Sequence, residues 1–91
     1  MARKEAILVV EDDIITLKLI QNVLESNGFL VLKAQTGMEA ATYLSSKKIC
    51  TAILDINLPD INGFEILKEI RKHPVHKDIP ILMLTNDSDK V

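Results

Sequence analysis

The chain has few aromatic side chains: among its 91 residues there is no Trp, one Tyr and two Phe. Because 47% of the residues are still hydrophobic, a core must be built from aliphatic side chains. The single cysteine, Cys50, excludes an internal disulfide and favours a reducing compartment. The apolar runs are far shorter than the roughly 20 residues of a membrane-spanning helix, and no signal peptide is recognisable. These absences predict a soluble, cytoplasmic protein.

A strong charge of one sign is also lacking, since the formal net charge is −2. Nothing in this balance favours attraction of the whole surface to nucleic acid or to a membrane. The length suits one modest domain, and neither a repeat nor an interdomain linker divides it. We therefore expect residues 1–91 to form a single domain.

Strand-like and helix-like segments alternate along the chain. Apolar runs predict strands at residues 7–10, 29–32, 52–54 and 79–84, and helical periodicity predicts helices at residues 14–26, 38–44 and 64–73. In the second helix we expect Met38, Ala41 and Leu44 to share one face. We interpret His73 and His76, after the third helix, as solvated loop residues. The order β-α-β-α-β-α-β predicts a doubly wound α/β fold with a parallel sheet.

Acidic and hydroxyl side chains follow three of these strands. Glu11 and Asp12 come after the first strand, Asp55 closes the third, and Thr85 follows the fourth. Sites in parallel sheets form outside the carboxyl ends of the strands, so these groups converge if the three strands are neighbours. Three carboxylates repel one another unless a cation intervenes, and oxygen ligands suit Mg²⁺. One of the carboxylates could then attack phosphorus, with the hydroxyl donating a hydrogen bond to a phosphoryl oxygen.

Each of these residues also has a plainer interpretation. Asp12 and Asp13 could cap the first helix, and for Asp13 we favour that role. Asp55 could be an ordinary acid at a strand end, but an acid closing a buried apolar run is costly without a partner, so we favour a site. Thr85 has good strand propensity by itself, and we interpret it as functional because the neighbouring acids agree.

Three segments carry a family resemblance. Residues 9–13 (VVEDD), 54–63 (LDINLPDING) and 81–85 (ILMLT) resemble, in order and spacing, the marks of receiver domains of two-component response regulators. Each segment is weakly specific alone, but the three together, at these separations, are strongly specific. The similarity spans nearly the whole chain.

The resemblance implies a flavodoxin-like sheet with strand order 2-1-3-4 and a role for each site residue. Asp55 would be the phospho-acceptor and Thr85 the switch hydroxyl. Mg²⁺, or Mn²⁺ in its place, would be bound by Glu11, Asp12, Asp55 and the backbone carbonyl of Asn57. A sensor histidine kinase or a phosphotransfer protein would supply the phosphoryl group. The receiver would phosphorylate itself from that donor rather than act as a conventional enzyme, with no direct contact to nucleic acid or membrane.

The sequence departs from the family pattern towards its end. A full receiver continues through a fourth helix, a fifth strand that carries a phosphoryl-binding lysine, and a fifth helix, whereas this sequence ends at Val91. Lys90 lies too early to be that lysine, and Asn86 stands where the family usually has a small residue. On this basis we expect a partial receiver that lacks the final α-β-α and self-associates through the exposed edge of the fourth strand.

Two other functions stay open. The first is an interaction or dimerisation module that no longer undergoes phosphorylation. The second is a phosphatase-type hydrolase with an aspartyl nucleophile. That class generally has a second acid two residues after the nucleophile, where this chain has Asn57, so we rank it last.

Overall fold

The structure, a computed structural model, describes residues 4–85, in which four strands alternate with three helices. In chain order the elements are β1 (Ala6–Val10), α1 (Ile14–Ser26), β2 (Leu30–Ala34), α2 (Gly37–Ser46), β3 (Thr51–Asp55), α3 (Gly63–Lys72) and β4 (Ile81–Leu84). The strands are parallel and lie in the order β2-β1-β3-β4. The predicted α/β class and strand order are confirmed. None of the helices in the described range is long and apolar enough to cross a membrane.

The strand register brings three carboxyl ends to one edge of the sheet. Val10 of β1 pairs with Leu54 of β3, and Asp55 of β3 pairs with Leu84 of β4. The residues that follow β1 and β4 therefore lie beside the last residue of β3. The strand order reverses between β1 and β3, which is where α/β sheets leave a crevice for a ligand.

Helices pack on both faces of the sheet. Leu8 and Val10 belong to the buried cluster that α2 and α3 cover, whereas Ile7 and Val9 belong to the cluster that α1 covers through Leu17. Successive side chains of a strand point to opposite faces. This two-sided burial explains why β1 is a continuous apolar run in the sequence.

The second strand extends further than the sequence predicted. β2 runs to Ala34, because it pairs with β1 up to Val10, and the N–H of Glu11 then donates to the carbonyl of Ala34 at 2.9 Å. Lys33 interrupts the apolar run and hid this extension. Pairing with β1, rather than the composition of β2 itself, therefore decides where β2 ends.

The predicted face of the second helix is wrong. Met38 is 77% exposed, and the buried residues of α2 are Gly37, Ala40 and Leu44. The reason is close packing at the start of the helix, since a Cβ on Gly37 would lie 2.1 Å from Cγ2 of Ile61. That contact turns Gly37 inward and leaves Met38 facing outward.

The outer strand β4 carries an exposed apolar side chain. Within residues 4–85 the sheet ends at β4, which pairs there with β3. Leu82 is 56% exposed. Its register partner Ile53 packs against the α1 cluster, so Leu82 lies on the α1 face of the sheet.

Candidate functional site

Three carboxylates meet at the carboxyl edge of the sheet. Glu11 and Asp12 directly follow β1, and Asp55 is the last residue of β3. One carboxylate oxygen from each of these residues lies within 4.8 Å of the other two. The structure thus brings together the three acids that the sequence singled out as metal ligands.

Two of the three carboxylates are buried and oriented by backbone donors. Glu11 is 7% exposed and Asp55 is 6% exposed, whereas Asp12 faces solvent. The N–H of Asp13 donates to Oε2 of Glu11 at 3.1 Å, and the N–H of Asn57 donates to Oδ1 of Asp55 at 3.1 Å. Each buried acid is therefore held by the loop that follows its own strand.

Burial and the repulsion between carboxylates disfavour the charged form of Glu11. Burial is the main reason that the pKa of Glu11 is raised from 4.5 to about 7. The N–H of Asp13 lowers that pKa, and the neighbouring charge and hydrogen bond of Asp55 raise it. Because a bound cation would relieve the same repulsion and displace the proton, the donor set fits a hard divalent ion.

Helix α1 begins beside the carboxylate cluster, and the residue before it is Asp13. The side chain of Asp13 accepts a hydrogen bond from the N–H of Thr16 at 3.0 Å and another from the Thr16 hydroxyl. These two donors lower the pKa of Asp13, which is the N-cap residue of α1. The predicted capping role of Asp13 is confirmed.

The loop between β3 and α3 is closed by its own hydrogen bonds. The backbones of Asn57 and Asn62 form an isolated antiparallel bridge, and the N–H of Gly63 donates to the carbonyl of Ile56 at 2.7 Å. The side chain of Asn62 then caps α3 by accepting from the N–H of Phe64 at 2.8 Å. These contacts hold Asn57 next to Asp55.

An open cleft of about 650 Å³ lies above the cluster. It is lined by Glu11, Asp12, Asp13, Thr16, Ile20, Asp55, Asn57, Leu84 and Thr85. Thr85 follows β4 and is exposed, so it lies on the rim of the same cleft as Asp55. All five predicted site residues thus line one cleft, which is large enough for a cation and a phosphoryl group. Asn86 and Lys90, also singled out from the sequence, lie outside the described residues.

One polar residue that the sequence analysis placed in solvent is buried. His76 is 1% exposed, and its Nε2 accepts a hydrogen bond from the N–H of Ile49 at 3.1 Å. The ring centroid of His73 lies 4.6 Å from that of His76. The interpretation of His76 as a solvated loop residue was wrong, because the docking of the loop before β4 against the loop before β3 leaves no local signal in the sequence.

Comparison with known proteins gives one consistent result. A family model described as the response regulator receiver domain matches residues 7–91. The regulatory protein VanRc of Enterococcus gallinarum is 39% identical over 90 residues, which are 96% of this chain and 38% of that protein.

Two solved structures show the same likeness. The non-phosphorylated HemR receiver domain of Leptospira biflexa has a TM-score of 0.82 and 36% identity, over 90% of this chain and 64% of that one. The response regulator TrrA of Thermotoga maritima, in complex with Mg²⁺–BeF, has a TM-score of 0.81 and 37% identity, over 89% and 69% of the two chains. The chain thus spans less than two-fifths of the length of VanRc and less than two-thirds of that of the HemR structure.

Proposed function

Because this chain belongs to the response regulator receiver domain family, we propose that it accepts a phosphoryl group on Asp55. The donor is a phosphohistidine of a sensor histidine kinase or of a phosphotransfer protein, and the setting is a cytoplasmic two-component phosphorelay. The reaction requires a divalent cation, for which Mg²⁺ is the proposed ion and Mn²⁺ a substitute.

The observation that carries this proposal is the placement of Asp55. Its carboxylate is buried at the end of β3, beneath an open cleft, and one of its oxygens lies within 4.8 Å of oxygens of Glu11 and Asp12. The N–H of Asn57 holds Oδ1 in place, which leaves Oδ2 as the proposed attacking atom. Such a carboxylate is an aspartyl nucleophile of the kind that forms acyl phosphates.

The chemistry of transfer is balanced without a further reactant. A carboxylate oxygen of Asp55 forms a bond to phosphorus, and the bond between phosphorus and the imidazole nitrogen of the donor histidine breaks. The other ring nitrogen of the donor histidine carries a proton, so the imidazole leaves as a neutral group with the electron pair of that bond. The products are an aspartyl phosphate and the free histidine, so the receiver changes its own covalent state and does not turn over a substrate as a conventional enzyme does.

The other cleft residues have supporting roles in this proposal. Glu11, Asp12, Asp55 and the backbone carbonyl of Asn57 hold the cation. When bound, Mg²⁺ neutralises the clustered charge and stabilises the phosphoryl oxygens. The Thr85 hydroxyl donates a hydrogen bond to a phosphoryl oxygen. The Mg²⁺ in the TrrA complex supports the choice of ion.

A phosphatase-type hydrolase is less well supported. Such an enzyme needs an acid or base beside the nucleophile to activate water. Asn57, two residues after Asp55, has an amide side chain that cannot take up or release a proton in this way. The acyl phosphate is therefore proposed as the product and not as an intermediate of rapid hydrolysis.

An interaction role is proposed in addition to phosphorylation. Leu82 on the outer strand β4 is exposed beside Ile53, and an outer strand with an apolar side chain can pair with another strand. We propose that the 91-residue polypeptide self-associates through this edge of β4.

Incubation of the 91-residue protein with acetyl phosphate and Mg²⁺ tests the acceptor role. Intact-mass analysis should show the addition of one phosphoryl group, and peptide mapping should locate it on Asp55. Asp55→Asn should abolish the addition, whereas Asp78→Asn, with the same change in charge in the loop before β4, should retain it. A modification that maps to Asp12 or Asp60 would contradict the proposal.

A further inference from the structure

The carboxylate of Asp60 joins the loop after β3 to the start of α2. Its Oδ1 accepts a hydrogen bond from the N–H of Gly37 at 2.8 Å, and its Oδ2 accepts one from the N–H of Met38 at 3.1 Å. These N–H groups belong to the first turn of α2, where they have no partner within the helix. The loop after β3 therefore supplies a cap to a helix that lies elsewhere in the sequence.

The same two segments are in tight van der Waals contact. A Cβ on Gly37 would lie 2.1 Å from Cγ2 of Ile61 and 3.4 Å from Oδ1 of Asp60. A side chain at Gly37 would require the side chain of Ile61 or the loop to shift. The loop and the helix start are thus held together both by hydrogen bonds and by packing.

A further contact links the start of α2 to the first metal-ligand loop. The side-chain amide of Gln35 donates to the backbone carbonyl of Asp12 at 3.4 Å, and the N–H of Gln35 donates to the side chain of Glu39 at 2.6 Å. Residues 35–38, which join β2 to the first turn of α2, therefore lie between the loop that carries Asp12 and the loop that carries Asn57. They contact both loops, although they contribute no side chain to the acidic cleft.

We propose that Asp60 is a positioning residue that sets the affinity of the cleft for its cation. By binding the start of α2, Asp60 fixes the loop that carries Asn57 relative to the loop that carries Asp12. This inference rests on the proposed function, because it assigns to those two loops the ligands of the phosphorylation site. Asp60 is not itself a ligand, since the carboxylate cluster among residues 4–85 consists of Glu11, Asp12 and Asp55.

The physical basis is preorganisation of the ligands. An anion is stabilised at the N-terminus of a helix by the unpaired N–H groups and the helix dipole. The N–H of Gly37 is accordingly the main reason that the pKa of Asp60 is lowered, so the contact persists throughout the neutral range. A cation that needs ligands from two loops binds more weakly when those loops can drift apart, because binding must then also order them.

Four variants test the inference, with Mg²⁺ alone as the probe. Asp60→Ala removes both acceptors, whereas Asp60→Asn keeps one acceptor and removes the charge. Met38→Pro removes one donor and leaves every charge in place. Proline is tolerated in the first turn of a helix, and Met38 is exposed and follows Gly37, which has no Cβ to clash with the ring. Asp78→Ala is the matched control for loss of a negative charge.

Calorimetric titration with Mg²⁺ should show a clear order. We expect Asp60→Ala to weaken binding by about 10-fold, the lower end of the range for residues that orient metal ligands. Met38→Pro should weaken Mg²⁺ binding by less. In the double variant of Asp60→Ala and Met38→Pro, the loss of binding free energy should be smaller than the sum of the two single losses, because both substitutions act on one contact. Asp60→Asn should be intermediate, and Asp78→Ala should match the unchanged protein. Amide hydrogen exchange at Gly37 should accelerate in Asp60→Ala.

The alternative outcomes are distinct. If Asp60→Ala and Asp78→Ala weaken Mg²⁺ binding equally, the effect is one of net charge and the positioning role is wrong. If Asp60→Ala does not fold, Met38→Pro decides the question: unchanged Mg²⁺ affinity together with faster exchange at Gly37 would contradict the inference. Failure of the proposed function itself has a separate signature, namely unchanged Mg²⁺ binding in Asp12→Asn.

Discussion

Gly63 lies directly against the backbone carbonyl of Asp55. A Cβ on Gly63 would be 2.1 Å from that carbonyl oxygen and 3.0 Å from the carbonyl carbon. The start of α3 can approach the end of β3 this closely only because Gly63 has no side chain. The position of the proposed nucleophile thus depends on a glycine eight residues further along the chain.

Gly63→Ala should therefore damage both stability and the site. We expect a loss of about 1 to 3 kcal/mol in the free energy of unfolding, as for other overpacked positions, and slower phosphorylation of Asp55 by acetyl phosphate. Urea denaturation and intact-mass time courses measure the two effects. Gly28→Ala is the contrast, because Gly28 has a φ of 89° with no atom within 4 Å of an added Cβ. Gly28→Ala should lower stability but leave the phosphorylation rate of the folded protein unchanged. If both variants change that rate equally, Gly63 has no special role in positioning Asp55.

Asp55→Asn should stabilise the protein in the absence of metal. The substitution removes one of two buried, repelling carboxylates and keeps an acceptor for the N–H of Asn57. Its effect should be on the order of 1 kcal/mol at pH 8, the size of the interaction of two unit charges about 4 Å apart in water. Urea denaturation with and without Mg²⁺ gives the measurement, and added Mg²⁺ should stabilise the unchanged protein more than the variant. A variant that is less stable than the unchanged protein without metal would mean that the hydrogen bond from Asn57 outweighs the repulsion.

Asp12→Asn should weaken Mg²⁺ binding at least several-fold, since it replaces a charged oxygen ligand by a neutral one. The matched control is Asp13→Asn, one residue away on the rim of the same cleft. Asn is as good an N-cap residue as Asp, so this control removes a nearby charge while α1 stays capped. Calorimetric or NMR titration of both variants separates ligation from general attraction. Equal affinities in the unchanged protein and Asp12→Asn would rule out the proposed site.

His76 should make the protein less stable in mild acid. Its Nε2 accepts from Ile49, so its proton is on Nδ1, which is buried without a hydrogen-bond partner in the described part of the chain. Burial, and then the neighbouring His73, lower the pKa of His76 below 6.5. The unfolded chain therefore takes up a proton at a higher pH than the folded chain does, and the stability contributed by neutral His76 is complete above pH 6.5 and is lost as the pH falls below it.

Urea midpoints at pH 8 and pH 5.5 for the unchanged protein and His76→Gln test this effect. Glu11 contributes in the opposite direction, because its pKa is raised to about 7 and protonation in the fold adds stability as the pH falls. The difference between the two proteins isolates His76. The difference in urea midpoint between the unchanged protein and His76→Gln should be smaller at pH 5.5 than at pH 8. His73→Gln is the control, because it keeps the buried ring of His76. A difference that does not change with pH would contradict this account.

The edge of β4 should govern self-association of the 91-residue polypeptide. Leu82→Lys places a charge on the exposed apolar position of the outer strand, a substitution that disfavours pairing between strands. Light scattering over a concentration series should show oligomers for the unchanged polypeptide and a smaller mean mass for the variant. A monomer at every concentration would remove the case for an interface at β4. Leu19→Lys, on the exposed side of α1, controls for added charge at a surface leucine.

Much of the fold follows from local pattern. The continuous apolar run of β1 and the helical spacing of α1 were recognisable because burial on two faces and burial on one face produce different periodicities. The acids at the ends of β1 and β3 marked the candidate site because charged groups at the end of a buried strand need partners. The prediction of the buried face of α2 was wrong. Gly37 and Met38 are adjacent, and helical periodicity alone could not decide which of the two faces the core.

The sequence by itself determined the alternation of strands and helices, and the residues that stand at the ends of the strands. A residue's place along a strand or a helix is a local property, decided by side-chain pattern and by breakers such as Gly and Pro. Only the tertiary structure decided which ends meet, that Asp60 caps α2, that Gly63 lies on the carbonyl of Asp55, and that His76 is buried. Those are contacts between segments far apart in sequence, and they depend on the register of the sheet and on how each helix docks against it.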